Sequence, residues 1–303
     1  MSGGRTTSRV LMVEPRGFRS NEETVIDNVF QIEATSQSSR VLEERAIREF
    51  GGLVALLRDY GMNVNVFTPS VACDSPDVVF PAHWFSTHVQ LGGVHVVYPM
   101  RSPKRRTERS EEIREFLRRR YPICIDLTAY DSRGEYLEAM GSLVPDRMSR
   151  LVYLAASTRS SERLAERWST MLGYRLVVFD ASDVDGRPIF HTSAVLCVGT
   201  TFVVVCSEAI SRESYRVLKA ELSYGQRDII EISREQMMAF AANIVQLGND
   251  GGGFLVMSTG AYEAFSPDQI ARLERHGRIL HTALSTIETY GGASVQSMVA
   301  ELY

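Results

Sequence analysis

The closing stretch Gly291-Gly292-Ala293-Ser294-Val295-Gln296-Ser297-Met298 is laid out to present one small side chain. A paired-glycine turn leads into a short polar run and then an apolar strand, Met298 to Leu302, so Ser297 is expected at the mouth of a sheet. A serine hydroxyl is not appreciably ionised near neutrality and needs an adjacent base before it can attack anything. His191 is the obvious helper, and with Glu138 behind it the three could form a carboxylate–imidazole–hydroxyl relay. Plainer uses compete. A buried Glu at the start of a turn accepts backbone N–H bonds, and a His after a strand satisfies a carbonyl.

A second group is basic. Residues 101–120 hold Arg101, Lys104, Arg105, Arg106, Arg109, Arg114, Arg118, Arg119 and Arg120 against Glu108, Glu111, Glu112 and Glu115, nine against four, a local +5. Such a run is either a solvated helix laced with Glu–Arg pairs, such as Glu115 with Arg119, or a docking patch for phosphate or an acidic partner. Arg105, Arg106, Arg109, Arg118, Arg119 and Arg120 are the candidates. With no aromatic interleaving and no RNA-recognition signature, direct RNA binding would be weak and salt-sensitive. The net charge of −4 gives no global attraction to nucleic acid or anionic membrane. No apolar run approaches the ~18 residues of a membrane span. Cys73, Cys124, Cys197 and Cys206 form no C-x-x-C pair, and no histidine stands at zinc-ligand spacing. Buried free thiols in a reducing intracellular compartment, with no metal and no cofactor, are the expectation.

Elements that could position these groups alternate along the 303 residues. Strands are expected at Arg9–Val13, Met62–Thr68, Val94–Tyr98, Ile123–Leu127, Leu151–Ala155, Arg175–Asp180, Ala194–Val198, Phe202–Cys206, Ile229–Ile232 and Phe254–Ser258, all short and bounded by turn residues. Helical periodicity covers Val41–Tyr60, Glu108–Arg120, Ser161–Leu172, Arg212–Leu222, Ser233–Leu247 and Pro267–Ala283. Ser233-x-x-Gln236 has capping-box form, and Ser266-Pro267 puts a cap before a proline at the first helical position. No low-complexity linker divides the chain. A flexible terminus at residues 1–8 followed by one α/β domain over residues 9–303 is the expected organisation.

Five ordered blocks carry a family resemblance. They are Val13-Glu14-Pro15-Arg16-Gly17-Phe18 with Asn28-Val29-Phe30-Gln31; Phe80-Pro81-Ala82-His83-Trp84; Leu137-Glu138-Ala139-Met140-Gly141; Phe190-His191-Thr192 with Ala241-Ala242-Asn243; and Ile287-Glu288-Thr289 with the closing glycine loop. Together they resemble the guanidine-modifying (pentein) superfamily, in the branch of citrulline-utilisation hydrolases and dimethylarginine dimethylaminohydrolases. The resemblance implies a propeller of five pseudo-symmetric ββαβ-type modules with the active site on the axis. It also implies a cysteine nucleophile where this chain has Ser297. A guanidinium is a resonance-stabilised cation and a poor electrophile, which is why the reaction suits a thiol of pKa about 8.5.

Other positions depart from the family pattern too. Relatives read Phe-Pro-Asn-Asn-Trp where Ala82 and His83 stand, Leu-Glu-Gly-Thr-Gly where Ala139 and Met140 stand, and His-Thr-Asn where Ser193 stands. Ala82, His83, Met140 and Ser193 are therefore altered substrate-holding positions, with Met140 expected to intrude on substrate space. Glu138 and His191 survive. Departures in four neighbourhoods imply a pseudoenzyme with a vestigial Glu138–His191–Ser297 set. The alternatives are altered guanidine hydrolysis through Ser297, or a single-site cysteine-to-serine trap, which the number of changes argues against. A degenerate dimethylarginine dimethylaminohydrolase-like subunit occurs in the RNA-editing substrate-binding complex of kinetoplastid mitochondria. Similarity to it implies a mitochondrial structural adaptor that joins protein subunits handling guide RNA and mRNA, with RNA contact indirect or through residues 101–120.

Overall fold

The computed structural model describes residues 6–33, 37–70, 72–223 and 226–303. Its strands are β1 (Arg9–Val13), β2 (Asn63–Phe67), β3 (Phe85–His88), β4 (Val94–Val97), β5 (Ile123–Asp126), β6 (Leu143–Asp146), β7 (Leu151–Ala155), β8 (Arg175–Phe179), β9 (Leu196–Val198), β10 (Phe202–Val205), β11 (Asp228–Glu231), β12 (Val245–Asn249), β13 (Gly252–Ser258), β14 (Arg278–Thr282) and β15 (Ala300–Glu301). They make five three-stranded sheets, β15-β1-β2, β3-β4-β5, β6-β7-β8, β9-β10-β11 and β12-β13-β14. In each sheet the middle strand pairs antiparallel with the first and parallel with the third. The parallel partner is reached through a helical crossover, as it must be. Ser39–Asp59, Glu111–Arg120, Glu162–Leu172 and Arg212–Leu222 serve four sheets, and the pair Thr259–Ala264 and Pro267–Leu273 serves the fifth. This is the five-module α/β propeller.

The repeat closes on itself. The first strand of the β1 module is supplied by the other end of the chain, with Val10 opposite Glu301 and Leu11 opposite Ala300. That pairing places the loop before β15, and with it Ser297, in the same relation to β1 that the other modules' loops have to their own sheets. Thr7 strengthens the closure by donating to the Leu302 carbonyl at 2.7 Å. Of the terminus expected to be flexible (residues 1–8), residues 1–5 lie outside the described residues. The strands of all five sheets fall between Arg9 and Glu301.

Where the structure departs from the periodicity, the reason is local. Ser233 does form its capping box with Gln236, but the helix runs only Arg234–Met238. Phe240 sits at φ 63°, and the apolar residues beyond it become β12. The helix beginning at Pro267 likewise stops at Leu273, and Arg278–Thr282 becomes β14 beside β13. Both segments offer apolar residues that fit either period, and sheet pairing decided. The helix expected over Glu108–Arg120 starts only at Glu111, and a separate helical turn, Pro103–Arg106, precedes it. The opening strands β3 and β6, Phe-Ser-Thr-His and Leu-Val-Pro-Asp, were not expected. They carry polar residues or proline yet are buried almost throughout. The strand expected over Met298–Leu302 shrinks to β15, because Val295–Met298 coils into a helical turn. Of the cysteines, Cys197 and Cys206 are buried as expected, whereas Cys124 is exposed and Cys73 is half-buried.

Candidate functional site

Each module enters its first strand through a tight turn, and these turns surround the axis. Pro81–His83 precedes β3, Ala139–Ser142 precedes β6, Thr192–Ala194 precedes β9 and Val295–Met298 precedes β15. His83, Glu138, His191 and Ser297 are members or caps of these four turns, which is how residues far apart in sequence meet. The segment before β12 contributes Asn243, whose Oδ1 accepts from the Gln296 N–H at 2.9 Å and fixes the turn that carries Ser297. The closing loop needs its paired glycine: Gly292 has φ 65°, and a Cβ there would lie 2.3 Å from Asn28 Nδ2.

The expected relay is half made. His191 Nε2 donates to Glu138 Oε2 at 2.8 Å. Gly141 lies against the opposite edge of the ring, where a Cβ would come within 2.7 Å of His191 Nδ1. Glu138 is fully buried, and its Oε1 accepts from the Arg101 N–H at 3.1 Å. Burial alone would raise the Glu138 pKa, but Arg159, the His191 bond and Arg105 hold it well below the usual carboxylate range.

Ser297 is engaged elsewhere. Its Oγ lies 2.9 Å from His83 Nε2, and His83 Nδ1 lies 3.0 Å from a guanidinium nitrogen of Arg105. A guanidinium can only donate, so Nδ1 must accept. Burial, with His191 and Arg105 nearby, holds the His83 pKa well below its ordinary value, so the ring is neutral and its one proton sits on Nε2. His83 therefore donates to Ser297 Oγ and has no lone pair there to receive the serine proton. Sequence reasoning assigned His83 to substrate holding; the fold turns it onto the hydroxyl.

Arginines fill the remaining space. Arg105 is 1% exposed and forks onto Glu108 at 2.9 and 3.2 Å. It also approaches Asp77 at 3.7 Å and Glu138 at 3.8 Å. Arg159 pairs with Asp27, donates to the Thr24 carbonyl at 3.2 Å and stands 3.7 Å from Glu138. The cavity left among Asp77, His83, Arg105, Arg159 and His191 is about 10 Å³, room for roughly one water. Asp77, Glu108 and Arg159 were missed by the sequence reading. Only the Arg105-x-x-Glu108 spacing, which a helical turn brings together, could have flagged any of them.

Several expected roles change. Arg105 belongs to this buried centre and not to a surface patch. Arg109 is also withdrawn, paired with Asp131 and donating to the Tyr98 carbonyl at 3.0 Å. Arg106 is partly covered and donates to the Met100 carbonyl at 2.9 Å. Arg118, Arg119 and Arg120 do lie on the surface. Arg118 and Arg119 pair with Glu115, Arg118 also with Glu111, and Arg120 stacks on Phe116. Ala82 packs in an apolar cluster with Leu11, Val13 and Val97. Met140 does not intrude on the central cavity. It lines a separate cavity of about 80 Å³ with Arg147, Gln296 and Tyr303. Ser193 is buried in its turn. The adjoining change has a visible cost: Ala139, where relatives carry glycine, is held at φ 37°, a conformation costing about 1 kcal/mol for a residue with a Cβ. Among the described residues, no group of three or more His, Cys, Asp or Glu side chains could hold a metal ion.

Solved structures share this architecture. The N-terminal domain of ArgZ, an arginine dihydrolase of the cyanobacterial ornithine–ammonia cycle, was captured as a cysteine-to-serine mutant bound to substrate. It superposes with a TM-score of 0.76 at 18% identity, covering 97% of both chains. AgrE, in a ternary complex with ornithine and NAD+, gives 0.76 at 17% identity over 97% of this chain. The chain spans 39% of the AgrE chain and 40% of a longer ArgZ chain. The dimethylarginine dimethylaminohydrolase of Pseudomonas aeruginosa, a cysteine-to-serine mutant complexed with citrulline, gives 0.69 at 17% identity, covering 99% of this chain and all of that one. No curated protein sequence matches the chain. The sequence pattern of the eukaryotic N,N-dimethylarginine dimethylhydrolase family matches residues 14–303. A family pattern matched over nearly the whole chain, on a five-module propeller, makes this chain a member of that family, within the pentein superfamily.

Proposed function

We propose that this chain is a non-catalytic member of its family, kept as a structural adaptor in a larger protein assembly. One observation carries the reading: the hydroxyl at the nucleophile position accepts a hydrogen bond from His83 Nε2, which therefore cannot act as its base, in a centre with about 10 Å³ left. The serine alone would not carry it. Cysteine-to-serine mutants of ArgZ and of the Pseudomonas enzyme were captured with substrate and citrulline respectively, so such a change leaves room for a ligand in those proteins. Here the filled centre supports inertness independently of the missing thiol.

A scaffold whose site has been abandoned can be reused as a surface, because fold and function are separable. By resemblance the assembly is a mitochondrial RNA-editing complex of the kinetoplastid type. The exposed residues Arg118–Arg120 are the part of the basic segment available for acidic partners or RNA phosphate. The second reading, guanidine hydrolysis through Ser297, is favoured by the Glu138–His191 bond at 2.8 Å. Incubating purified protein with arginine, methylated arginines and agmatine separates the two. No citrulline and no amidino transfer are expected, from the native chain or from Ser297→Cys; robust turnover by the native chain refutes the proposal. For the adaptor role, reversing Arg118, Arg119 and Arg120 should weaken recovery of the assembly more steeply as salt rises, while Ser297→Ala leaves it unchanged. The opposite pattern would make the pocket the working site.

A further inference from the structure

We propose that Arg105 is a tethered ligand: its guanidinium occupies a recognition cage for that group, and a free guanidinium ion takes its place when the side chain is removed. The cage is more than an ion pair. Four of the five N–H donors are met: two by Glu108 at 2.9 and 3.2 Å, one by the Phe80 carbonyl at 3.4 Å and one by His83 Nδ1 at 3.0 Å. Asp77 and Glu138 add carboxylates at 3.7 and 3.8 Å.

The cage is also built independently of its occupant. Ser75 donates to Glu108 at 2.6 Å, Asn21 donates to Asp77 at 2.8 Å, and His191 donates to Glu138 at 2.8 Å. Asp77 Oδ1 is buried with no hydrogen-bond partner among the described residues, an acceptor still open at the site. Arg105 enters from the Pro103–Arg106 turn, whose start is fixed by Ser102 Oγ accepting the Arg105 N–H at 3.3 Å. Removing the side chain therefore leaves the walls held and the turn capped. Free guanidino compounds are excluded from the native centre by occupancy, not by a lack of carboxylates.

This deepens the inactive-centre reading and rests on the same site, but the two fail separately. Turnover by the native chain would refute inactivity, whereas binding by variants tests the cage. Arg105→Ala should melt below the native chain and regain stability in millimolar guanidinium chloride but not in sodium chloride of equal ionic strength. The native chain should not respond. Arg105→Met, which refills the space with an apolar stem, should bind guanidinium at least about tenfold more weakly than Arg105→Ala, a difference readable by titration calorimetry. Arg227→Ala removes another buried arginine, one that pairs with Asp146 outside the cage, and should also be rescued less. Equal responses from Arg105→Ala and the native chain, or equal rescue of Arg227→Ala, overturn the proposal. If Arg105→Ala does not fold unaided, refolding from urea gives the same reading. A folded yield restored by guanidinium and not by sodium supports the cage; the same yield in both overturns it.

Discussion

Removing the Glu138 carboxylate tests whether the centre has become structural. Glu138 Oε2 accepts from His191 at 2.8 Å, Oε1 accepts from the Arg101 N–H at 3.1 Å, and two guanidinium groups stand 3.7 and 3.8 Å away. Glu138→Ala orphans one imidazole N–H and one backbone N–H and removes a shared counter-charge from Arg105 and Arg159. Breaking a buried ionic cluster costs about 3–5 kcal/mol. Arg105 keeps Glu108 and Arg159 keeps Asp27, so the lower end, about 3 kcal/mol, is expected. For a chain of this length that lowers the melting midpoint by roughly 5 °C. Glu138→Gln keeps acceptors for both N–H groups, loses only the charge and should cost less. The pH dependence has a definite sign. The folded pKa lies below the unfolded one, so the stabilisation is present above about 4.3 and is lost as pH falls through the folded value; Glu138→Gln should abolish that acid-side loss. Urea denaturation followed by tryptophan fluorescence measures both effects. Catalytic groups are commonly held at a cost to stability. A Glu138→Ala midpoint equal to or above the native value would therefore refute the structural account and restore the catalytic one.

Burial pushes Glu288 up to about 7, with Ser258 and Ser294 opposing through hydrogen bonds. The folded state therefore binds its proton more tightly than the unfolded one, and stability falls as pH rises from the ordinary carboxylate range to about 7. Glu288→Gln should flatten that slope in urea midpoints taken across the window. Gly141→Ala puts a Cβ 2.7 Å from His191 Nδ1 and should destabilise the chain by about 1–3 kcal/mol in the same assay. Ser297→Cys should yield a thiol that alkylates slowly near neutral pH, because His83 is neutral and supplies no positive charge to depress its pKa. Rapid iodoacetamide labelling of that position, by peptide mass spectrometry, would contradict the proton assignment.

Sequence alone settled the alternation of short strands and helices, and the five ordered blocks settled the family. Arg9–Val13, Leu151–Ala155 and Arg212–Leu222 stand where periodicity put them, because local hydrophobic spacing and turn residues act within a few positions of each other. Glu138 and His191 were legible as partners because both stand within the ordered blocks that carry the family resemblance.

The rest needed the closed ring. Phe85–His88 is a strand only because β4 pairs with it, and Val245–Asn249 is a strand only because β13 does; neither segment declares itself by propensity. Ser297 is bonded to His83 and not to His191 because the β15–β1 pairing and the β3 module bring two turns together from positions 214 residues apart. Arg105 looked like one of nine surface cations, yet a single helical turn after Pro103 directs it inward to Glu108 while Arg118 and Arg119 remain at the surface. Charge and spacing fix what a side chain can do. Which way it faces at the axis is set by the packing of five modules at once, and no local stretch of sequence contains that information.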